Sequence, residues 1–259
     1  MNYNYHTHTY RCHHATGTER EYIERAISGG IKYMGFSDHL PFRFPNGYES
    51  EHRVYISEVK DYIDTLVKLR EEYKDKIEIL IGFETEFYPK YHKEMIQNAI
   101  DFGGEYLILG HHYLGNELPD MITSRSKHEK YEELKEYVDS VIMGMESGYF
   151  TYIAHPDLLN FVGDDKLYDK QMRRICKKAT QLDLPLEINF LGIRANKTYP
   201  CDKFWKIAGE ENSPVTFGFD AHDANAAFDK ESLEIAKKLV KKRKLNYIGK
   251  PKINLLNRL

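Results

Sequence analysis

The sequence of 259 residues is long enough for one large α/β domain, and its composition excludes several classes of protein. Hydrophobic residues make up 41% and charged residues 30% of the chain, which is typical of a globular protein rather than a disordered or collagen-like one. A formal net charge of −3 argues against broad nucleic-acid binding, which requires a basic surface. No apolar run approaches the ~20 residues of a membrane-spanning helix, and the N-terminus lacks a signal-peptide pattern. We therefore expect a cytoplasmic protein without nucleic-acid or membrane partners, folded as a single domain over residues 1–259.

Short apolar runs alternate along the chain with longer amphipathic patterns. The short runs predict seven strands, at residues 3–6, 31–37, 77–83, 106–110, 152–154, 186–190 and 215–219, with a weaker eighth candidate at 246–248. The patterns between them place apolar residues three and four apart, which predicts helices with one apolar face each. Residues 41–53 and 114–127 are polar and turn-rich, so we expect long loops there. The alternation predicts a parallel sheet with helices outside, either closed into a barrel or doubly wound.

Six of the predicted strands end in imidazole or carboxylate side chains. These pairs are His6 and His8, Asp38 and His39, Glu84 and Glu86, His111 and His112, His155 and Asp157, and Asp220 and His222. In a parallel barrel the carboxyl ends of the strands converge at one mouth, where active sites lie. One such histidine alone is more often a packed core residue. Six coinciding strand ends instead predict a site for divalent ions such as zinc, manganese or iron.

The candidate ligands are too many for a single ion. They are His6, His8, His14, His39, Glu84, His112, His155, Asp220 and His222. Because zinc takes about four ligands, this set predicts two to three ions per chain. Glu84 is a candidate bridge between two ions, since a carboxylate has two oxygens. Clustered ions of this kind favour hydrolysis of phosphate esters.

The identity and order of these motifs resemble the polymerase and histidinol phosphatase (PHP) superfamily over nearly the whole chain. The motifs are His6-Thr7-His8, Asp38-His39, Gly82-Phe83-Glu84, His112, Ala154-His155-Pro156 and Gly218-Phe219-Asp220-Ala221-His222. The stretch from Glu187 to Pro200 is most similar to the branch of histidinol-phosphate phosphatases. The resemblance implies a distorted (β/α)7 barrel, similar to a TIM barrel, with the metal site at the C-terminal ends of the strands.

The resemblance also implies how the ligands divide among three ions. His6, His8, Glu84 and Asp220 would hold one ion, Glu84, His112 and His155 a second, and His14, His39 and His222 a third. The implied reaction is hydrolysis of L-histidinol phosphate to L-histidinol and phosphate, a step of histidine biosynthesis, by a hydroxide that bridges two ions. The sequence departs from the family at strand four, where His111 precedes His112. When the segment is aligned with the family motif, His112 takes the position of the ligand.

Further polar residues are candidates for contacting the substrate. Because a guanidinium matches a phosphate monoester with two hydrogen bonds, Arg194 is the first candidate for phosphate binding, and Lys197 and Arg125 are weaker ones. His111 is a further candidate substrate contact. The leaving group needs a proton or a metal, and either Asp38 or His111 is a candidate acid. The predicted catalytic residues are thus Glu84, Asp220 and Asp38.

Three carboxylates and one thiol flank the predicted ligands. Asp38, Glu86 and Asp157 either orient imidazoles or contact a cationic substrate. Cys12 is expected to be a packed residue rather than a ligand.

Two alternatives to a phosphatase of the histidinol-phosphate branch stay open. The same chemistry could act on another phosphate ester, such as a nucleotide or a cyclic phosphodiester. Alternatively, the chain could be a non-catalytic metal-binding module, although the complete ligand set and the lack of a basic stripe argue against it. The sequence leaves open the metal identity, the oligomeric state and the contacts to the rest of the substrate.

Overall fold

The computed structural model describes residues 1–118 and 121–256, and it has a parallel eight-stranded sheet curled into a half-barrel. The strands are hydrogen-bonded in chain order: β1 Tyr3–Asn4, β2 Tyr33–His39, β3 Glu78–Thr85, β4 Tyr106–Leu109, β5 Phe150–Ile153, β6 Leu186–Asn189, β7 Pro214–Gly218 and β8 Asn246–Tyr247. The helices are α1 Glu19–Ser28, α2 Val59–Tyr73, α3 His92–Asp101, α4 Tyr131–Glu146, α5 Asp165–Leu182, α6 Phe190–Arg194, α7 Asp202–Glu210 and α8 Lys230–Arg243. Pro119 and Asp120 of the predicted loop 114–127, and residues 257–259 of the predicted domain, lie outside the described residues.

The sheet has one strand more than the seven expected. The weaker C-terminal candidate pairs with β7, where Pro214 and Val215 lie opposite Asn246 and Tyr247. The ring of Tyr247 stacks on Phe217 with 4.2 Å between the ring centroids. This stacking buries apolar surface on both rings, so it favours adding even a two-residue strand to the edge of the sheet.

The segments that follow β1 and β7 meet at the carboxyl end of the sheet. Thr7 and Ala221 form an isolated parallel bridge. The backbone N–H of His8 donates to the carbonyl of Ala221 at 2.9 Å, and the N–H of Ala221 donates to the carbonyl of His6 at 3.2 Å. This pairing brings the first and last histidine motifs of the sequence side by side.

Two apolar clusters stabilise the sheet. The larger one packs the helices against the outer face and includes the fully buried Trp205. The smaller one is built on Tyr3, Tyr5, Tyr106 and Tyr152. The hydroxyl of Tyr106 donates to the carbonyl of Tyr5 at 2.9 Å, so this ring is held by a hydrogen bond as well as by packing.

Side-chain caps fix where two of the helices begin. Thr18 and Glu21 form a reciprocal capping box, and α1 begins there. After β6, the side chain of Asn189 accepts a hydrogen bond from the N–H of Gly192 at 3.1 Å, and the chain turns at once into α6. Phe190, predicted as the last residue of a strand, is therefore the first residue of a helix. Within the described ranges, no helix has the length and apolar character needed to cross a membrane.

Candidate metal centre

The nine predicted ligands gather at the carboxyl end of the sheet. Eight of them lie at or shortly after the end of a strand, and His14 lies in the segment between β1 and α1. Eight of them line a cavity of about 400 Å³, and His6 lies fully buried behind it. Their imidazole and carboxylate atoms form candidate metal-binding clusters in which the atoms lie within 4.8 Å of one another. The strand-end pattern thus brings these groups together in space. Their role as ligands stays a prediction.

The first cluster joins His6, His8, Glu84 and Asp220. Nε2 of His6 lies 3.3 Å from Oε2 of Glu84, and Nε2 of His8 lies at the same distance from it. Oδ1 of Asp220 lies 3.5 Å from Nε2 of His6 and 3.3 Å from Nε2 of His8. Ligand atoms arranged tetrahedrally at ordinary zinc distances are about 3.4 Å apart. The four nitrogen–oxygen distances therefore match the spacing of ligands around a single divalent ion.

The other oxygen of Glu84 faces a second cluster. Oε1 lies 2.9 Å from Nε2 of His155 and 3.4 Å from Nε2 of His112. Gly110 leaves room for this carboxylate, since a Cβ at that position would lie 1.9 Å from Oε1. The two oxygens of one buried carboxylate therefore face two clusters, which is the arrangement that a bridging ligand requires.

The third cluster consists of His14, His39 and His222. The ring of His14 lies 4.9 Å from that of His222 and 5.4 Å from that of His39, centroid to centroid. Burial and neighbouring imidazoles lower the pKa of all three side chains, that of His14 to about 4. Neutral imidazoles keep a lone pair, so this cluster is already in the protonation state that binds a cation.

Several buried polar atoms at the centre have no hydrogen-bond partner among the described residues. They include both ring nitrogens of His8 and Oδ1 of Asp220. Buried polar atoms are nearly always paired in native proteins, because an unpaired one costs about 1–3 kcal/mol. Nitrogen and carboxylate oxygen donors that converge without partners fit a divalent cation.

A carboxylate on β6 supports the first two clusters, although the sequence pattern gave it no role. Oε1 of Glu187 accepts a hydrogen bond from Nδ1 of His6 at 2.7 Å, and Oε2 accepts one from the backbone N–H of His155 at 3.1 Å. Asn189 donates to Glu187 at 2.8 Å and to Asp220 at 3.0 Å. The available signal was a charged residue between Leu186 and Ile188, inside a strand too apolar to tolerate an unpaired charge.

Residues 4–190, well over half of the chain, match the family described as PHP domain. The chain belongs to the PHP domain family. A curated relative from Deinococcus radiodurans, named probable histidinol-phosphatase, is 29% identical over 225 residues, covering 84% of this chain and 85% of the relative. The histidinol-phosphatase of Bacillus subtilis is 25% identical over 254 residues, covering 85% of this chain and 92% of that protein.

A crystal structure shows the same fold. It is a histidinol phosphate phosphatase from Lactococcus lactis complexed with zinc, L-histidinol and phosphate, with a TM-score of 0.71, 21% identity and 95% coverage of each chain. At this identity the similarity establishes the fold of this PHP domain and not its substrate.

Asp38 does not lie where the predicted acid of this PHP domain would have to be. It is fully buried and does not line the cavity. Its Oδ2 accepts hydrogen bonds from the N–H of Thr9 at 3.0 Å and the hydroxyl of Thr9 at 2.5 Å, and its Oδ1 lies 3.5 Å from Nδ1 of His8. The carboxylate therefore packs behind a predicted ligand, because its position in β2 faces the segment after β1. This position argues against Asp38 as the acid and is consistent with the other expected role, a carboxylate behind His8.

The other two flanking carboxylates are also held by neighbouring hydrogen-bond donors. Glu86 accepts from Nδ1 of His112 at 2.7 Å and from Arg53, so its two oxygens are taken. Burial alone would raise the pKa of Glu86, but Arg53 and His112 lower it to about 2. Oδ2 of Asp157 accepts from the N–H of Cys201 at 2.5 Å and the indole N–H of Trp205 at 3.0 Å. Glu86 therefore has no oxygen free for a cationic substrate. Asp157 has an unpaired Oδ1 among the described residues, but it is buried and does not line the cavity.

Arg194 and His111 lie away from the cavity, which corrects both substrate assignments. The guanidinium of Arg194 donates to the carbonyls of Phe219 at 2.7 Å and Asp220 at 2.5 Å. The capped turn into α6 carries it behind the end of β7 rather than into the cavity. His111 is buried against Tyr137, with 5.4 Å between the ring centroids, while His112 faces Glu84, as the alignment with the family motif predicts.

The remaining lining of the cavity comes mainly from the two long loops and the stretch after α6. Lys197 and Arg125 line it, as weaker candidates for phosphate contact. Side chains that the sequence pattern did not single out also line it: Ser50, His52, Arg53, Tyr113, Leu158, Leu191 and Tyr199. The only sequence signal for them was their position in segments that follow strand ends, where binding residues concentrate.

Proposed function

We propose that this PHP domain is a metal-dependent phosphomonoesterase that hydrolyses L-histidinol phosphate to L-histidinol and phosphate. The observation that carries the proposal is the position of Glu84 between two clusters of imidazoles at a cavity that also contains Arg125 and Lys197. Two or three clustered cations beside a cationic wall suit a phosphate ester. The substrate comes from the relatives, which are named histidinol-phosphatases. We further propose that residues 1–259 form one domain.

The three clusters are the proposed metal sites. His6, His8, Glu84 and Asp220 would hold one ion, Glu84, His112 and His155 another, and His14, His39 and His222 a third. Ions held there supply Lewis acidity, which withdraws charge from phosphoryl oxygens and activates water for attack. The metal is zinc, manganese or iron in this proposal, because all three accept imidazole together with carboxylate ligands.

The cavity wall would bind the two ends of the substrate differently. Neither Arg125 nor Lys197 has a carboxylate within 4.0 Å among the described residues, so their charges are available to a phosphate. A guanidinium holds a phosphate through two parallel hydrogen bonds, and an ammonium holds it as a point charge. Tyr113, Leu158 and Tyr199 provide flat apolar surface suited to the imidazole ring of histidinol.

Steady-state phosphate release tests this assignment. L-histidinol phosphate and p-nitrophenyl phosphate are compared at equal metal load, together with a nucleotide and a cyclic phosphodiester. We expect kcat/KM for histidinol phosphate to exceed that for p-nitrophenyl phosphate at least about a hundredfold, since polar lining residues such as Ser50 and His52 would be left unpaired by an analogue without amine and imidazole groups. A ratio near one leaves a metal-dependent phosphatase but refutes the substrate. A metal-loaded protein that releases phosphate from no ester is a binding module.

A further inference from the structure

One buried guanidinium connects the segments that follow β2, β3 and β4. Arg53, only 3% exposed, lies in the loop after β2. Its Nη1 donates to the carbonyl of Leu40 at 2.9 Å, directly after β2. Its Nη2 donates to Oε2 of Glu86, just after β3. Its Nε donates at 2.8 Å to Oε1 of Glu117, which lies beyond β4 and also accepts from the hydroxyl of Tyr88 at 3.2 Å.

Glu86 links this guanidinium to a predicted ligand. While Oε2 is held by Arg53, Oε1 accepts the Nδ1 proton of His112 at 2.7 Å. An imidazole that donates from Nδ1 carries its lone pair on Nε2. In His112 that atom lies 3.4 Å from Oε1 of Glu84, on the cavity side of the ring. The hydrogen bonds therefore run in one chain from Arg53 through Glu86 to the metal-facing nitrogen of His112.

We propose that Arg53 is a positioning residue, which acts through Glu86 to fix the ring orientation and tautomer of His112. The inference rests on the metal role proposed above for His112. Terminal carboxylate torsions are broad, so Glu86 needs a second partner to hold its plane. Arg53 provides that partner and is itself fixed by Leu40 and Glu117. Only a guanidinium reaches three acceptors in different directions, whereas an ammonium on a flexible stem does not reproduce this fork.

The alternative is that Arg53 only fastens the loops together. Zinc affinity of the full-length protein distinguishes a positioning role from a purely structural one. The affinity is measured by competition with a chromophoric chelator, and the Tm of the metal-free protein is measured alongside it. We expect Arg53→Gln to weaken the binding of one zinc ion about 10–100-fold, the usual cost of losing a partner behind a ligand, while the other ions stay bound. Arg53→Lys keeps the buried charge, so it tests the same point if the Gln variant does not fold. We expect a smaller loss from it.

Arg173→Gln is the matched control. Arg173 joins α5 to the end of α7 by donating to Asp169, Glu210 and Glu211, away from the cavity. It is also an arginine with several carboxylate partners, but about a quarter of its side chain is exposed, so we expect its loss to lower the Tm less than the loss of Arg53. We expect zinc affinity within about twofold of the wild type in this variant.

A double-mutant cycle tests whether the effect passes through Glu86. Glu86→Gln keeps an oxygen for His112 but loses the ionic contact with Arg53. If Arg53 acts through Glu86, the zinc affinity of the double variant is no lower than that of the single variant with the lower affinity. Additive losses, or unchanged zinc affinity in both Arg53 variants, overturn the inference and leave the proposed function standing. A wild-type protein that binds no divalent ion overturns both.

Discussion

Nδ1 of His6 donates a 2.7 Å hydrogen bond to Oε1 of Glu187, although β1 and β6 are not neighbours in the sheet. Both side chains are fully buried. The contact holds the Nδ1 proton and leaves Nε2 of His6 facing Glu84 and Asp220, so Nε2 is the nitrogen that would give up its proton to a cation in the first cluster. Burial alone would lower the pKa of His6, but the carboxylates of Glu187, Asp220 and Glu84 outweigh it and raise the pKa to about 10.

Glu187→Gln should lower the pKa of His6 in the metal-free protein. Glu187 is the largest contributor among the neighbouring carboxylates, and the amide removes its charge while keeping its shape. A raised histidine pKa stabilises the fold fully below the unfolded pKa of about 6.5, and this stability is lost as pH rises through about 10. We expect the variant to lose the stability contributed by protonated His6 at a lower pH than the wild type. NMR titration of the imidazoles after chelation measures the shift, and an unchanged pKa would show that the contact carries no electrostatic weight.

Glu84→Gln should abolish turnover and leave the fold intact. The amide has the same size, but only its carbonyl oxygen can bind a cation, whereas the two clusters use both oxygens of the carboxylate. Phosphate release and elemental analysis would be measured together, with circular dichroism as the folding control. We expect fewer bound ions than in the wild type. Near-normal turnover at saturating metal would mean that Glu84 is not the bridge.

Arg125→Gln should weaken phosphate binding, and Arg194→Lys should not. Arg125 lines the cavity, while the guanidinium of Arg194 is occupied by the carbonyls of Phe219 and Asp220. Losing two charge-assisted hydrogen bonds should cost Arg125→Gln about 2–4 kcal/mol of transition-state stabilisation, as calculated from kcat/KM. The inhibition constant of inorganic phosphate reports the same contact without the rest of the substrate. A larger effect from Arg194→Lys would mean that the guanidinium of Arg194 leaves those carbonyls to bind phosphate.

The sequence predicts the gathering of the ligands because imidazoles and carboxylates recur at the carboxyl ends of six apolar strands, and those ends meet at one edge of a parallel sheet. The residue types alone do not show which way such a side chain points, and His112 is preferred over His111 only from its position relative to the family motif. His111 and His112 are adjacent, and only the register of β4 decides that one packs on Tyr137 while the other faces Glu84. Arg194 is misplaced for a related reason: the cap at Asn189 turns the chain into a helix one residue earlier than the apolar pattern predicts.

Contacts between side chains far apart in the sequence also cannot be predicted from the sequence pattern. Glu187 lies 181 positions from His6, and Arg53 lies 64 positions from Glu117. Neither pair has a characteristic spacing, because side-chain periodicity reports only which face of its own strand or helix a residue occupies. Their buried charges could be flagged as needing partners, but the partners are set by how the loops pack.

Asp157→Asn should change how stability depends on pH. Burial raises the pKa of Asp157 to about 6, and Oδ1 has no partner among the described residues. The folded state therefore holds a proton that the unfolded state has released, so stability falls as pH rises from the unfolded pKa of about 3.9 through about 6. The asparagine accepts the same hydrogen bonds from Cys201 and Trp205 and does not titrate.

Urea unfolding of both proteins, with the metals chelated, isolates this carboxyl because the other titrating groups are shared. We expect the free energy of unfolding of the wild type, relative to Asp157→Asn, to fall by about 1–1.5 kcal/mol between pH 5 and about pH 7.5. The window lies mostly above the folded pKa, so most of the change occurs below about pH 6.5. A difference between the two proteins that stays constant across this range would mean that Asp157 is ionised throughout, and that its hydrogen bonds to Cys201 and Trp205 outweigh its burial.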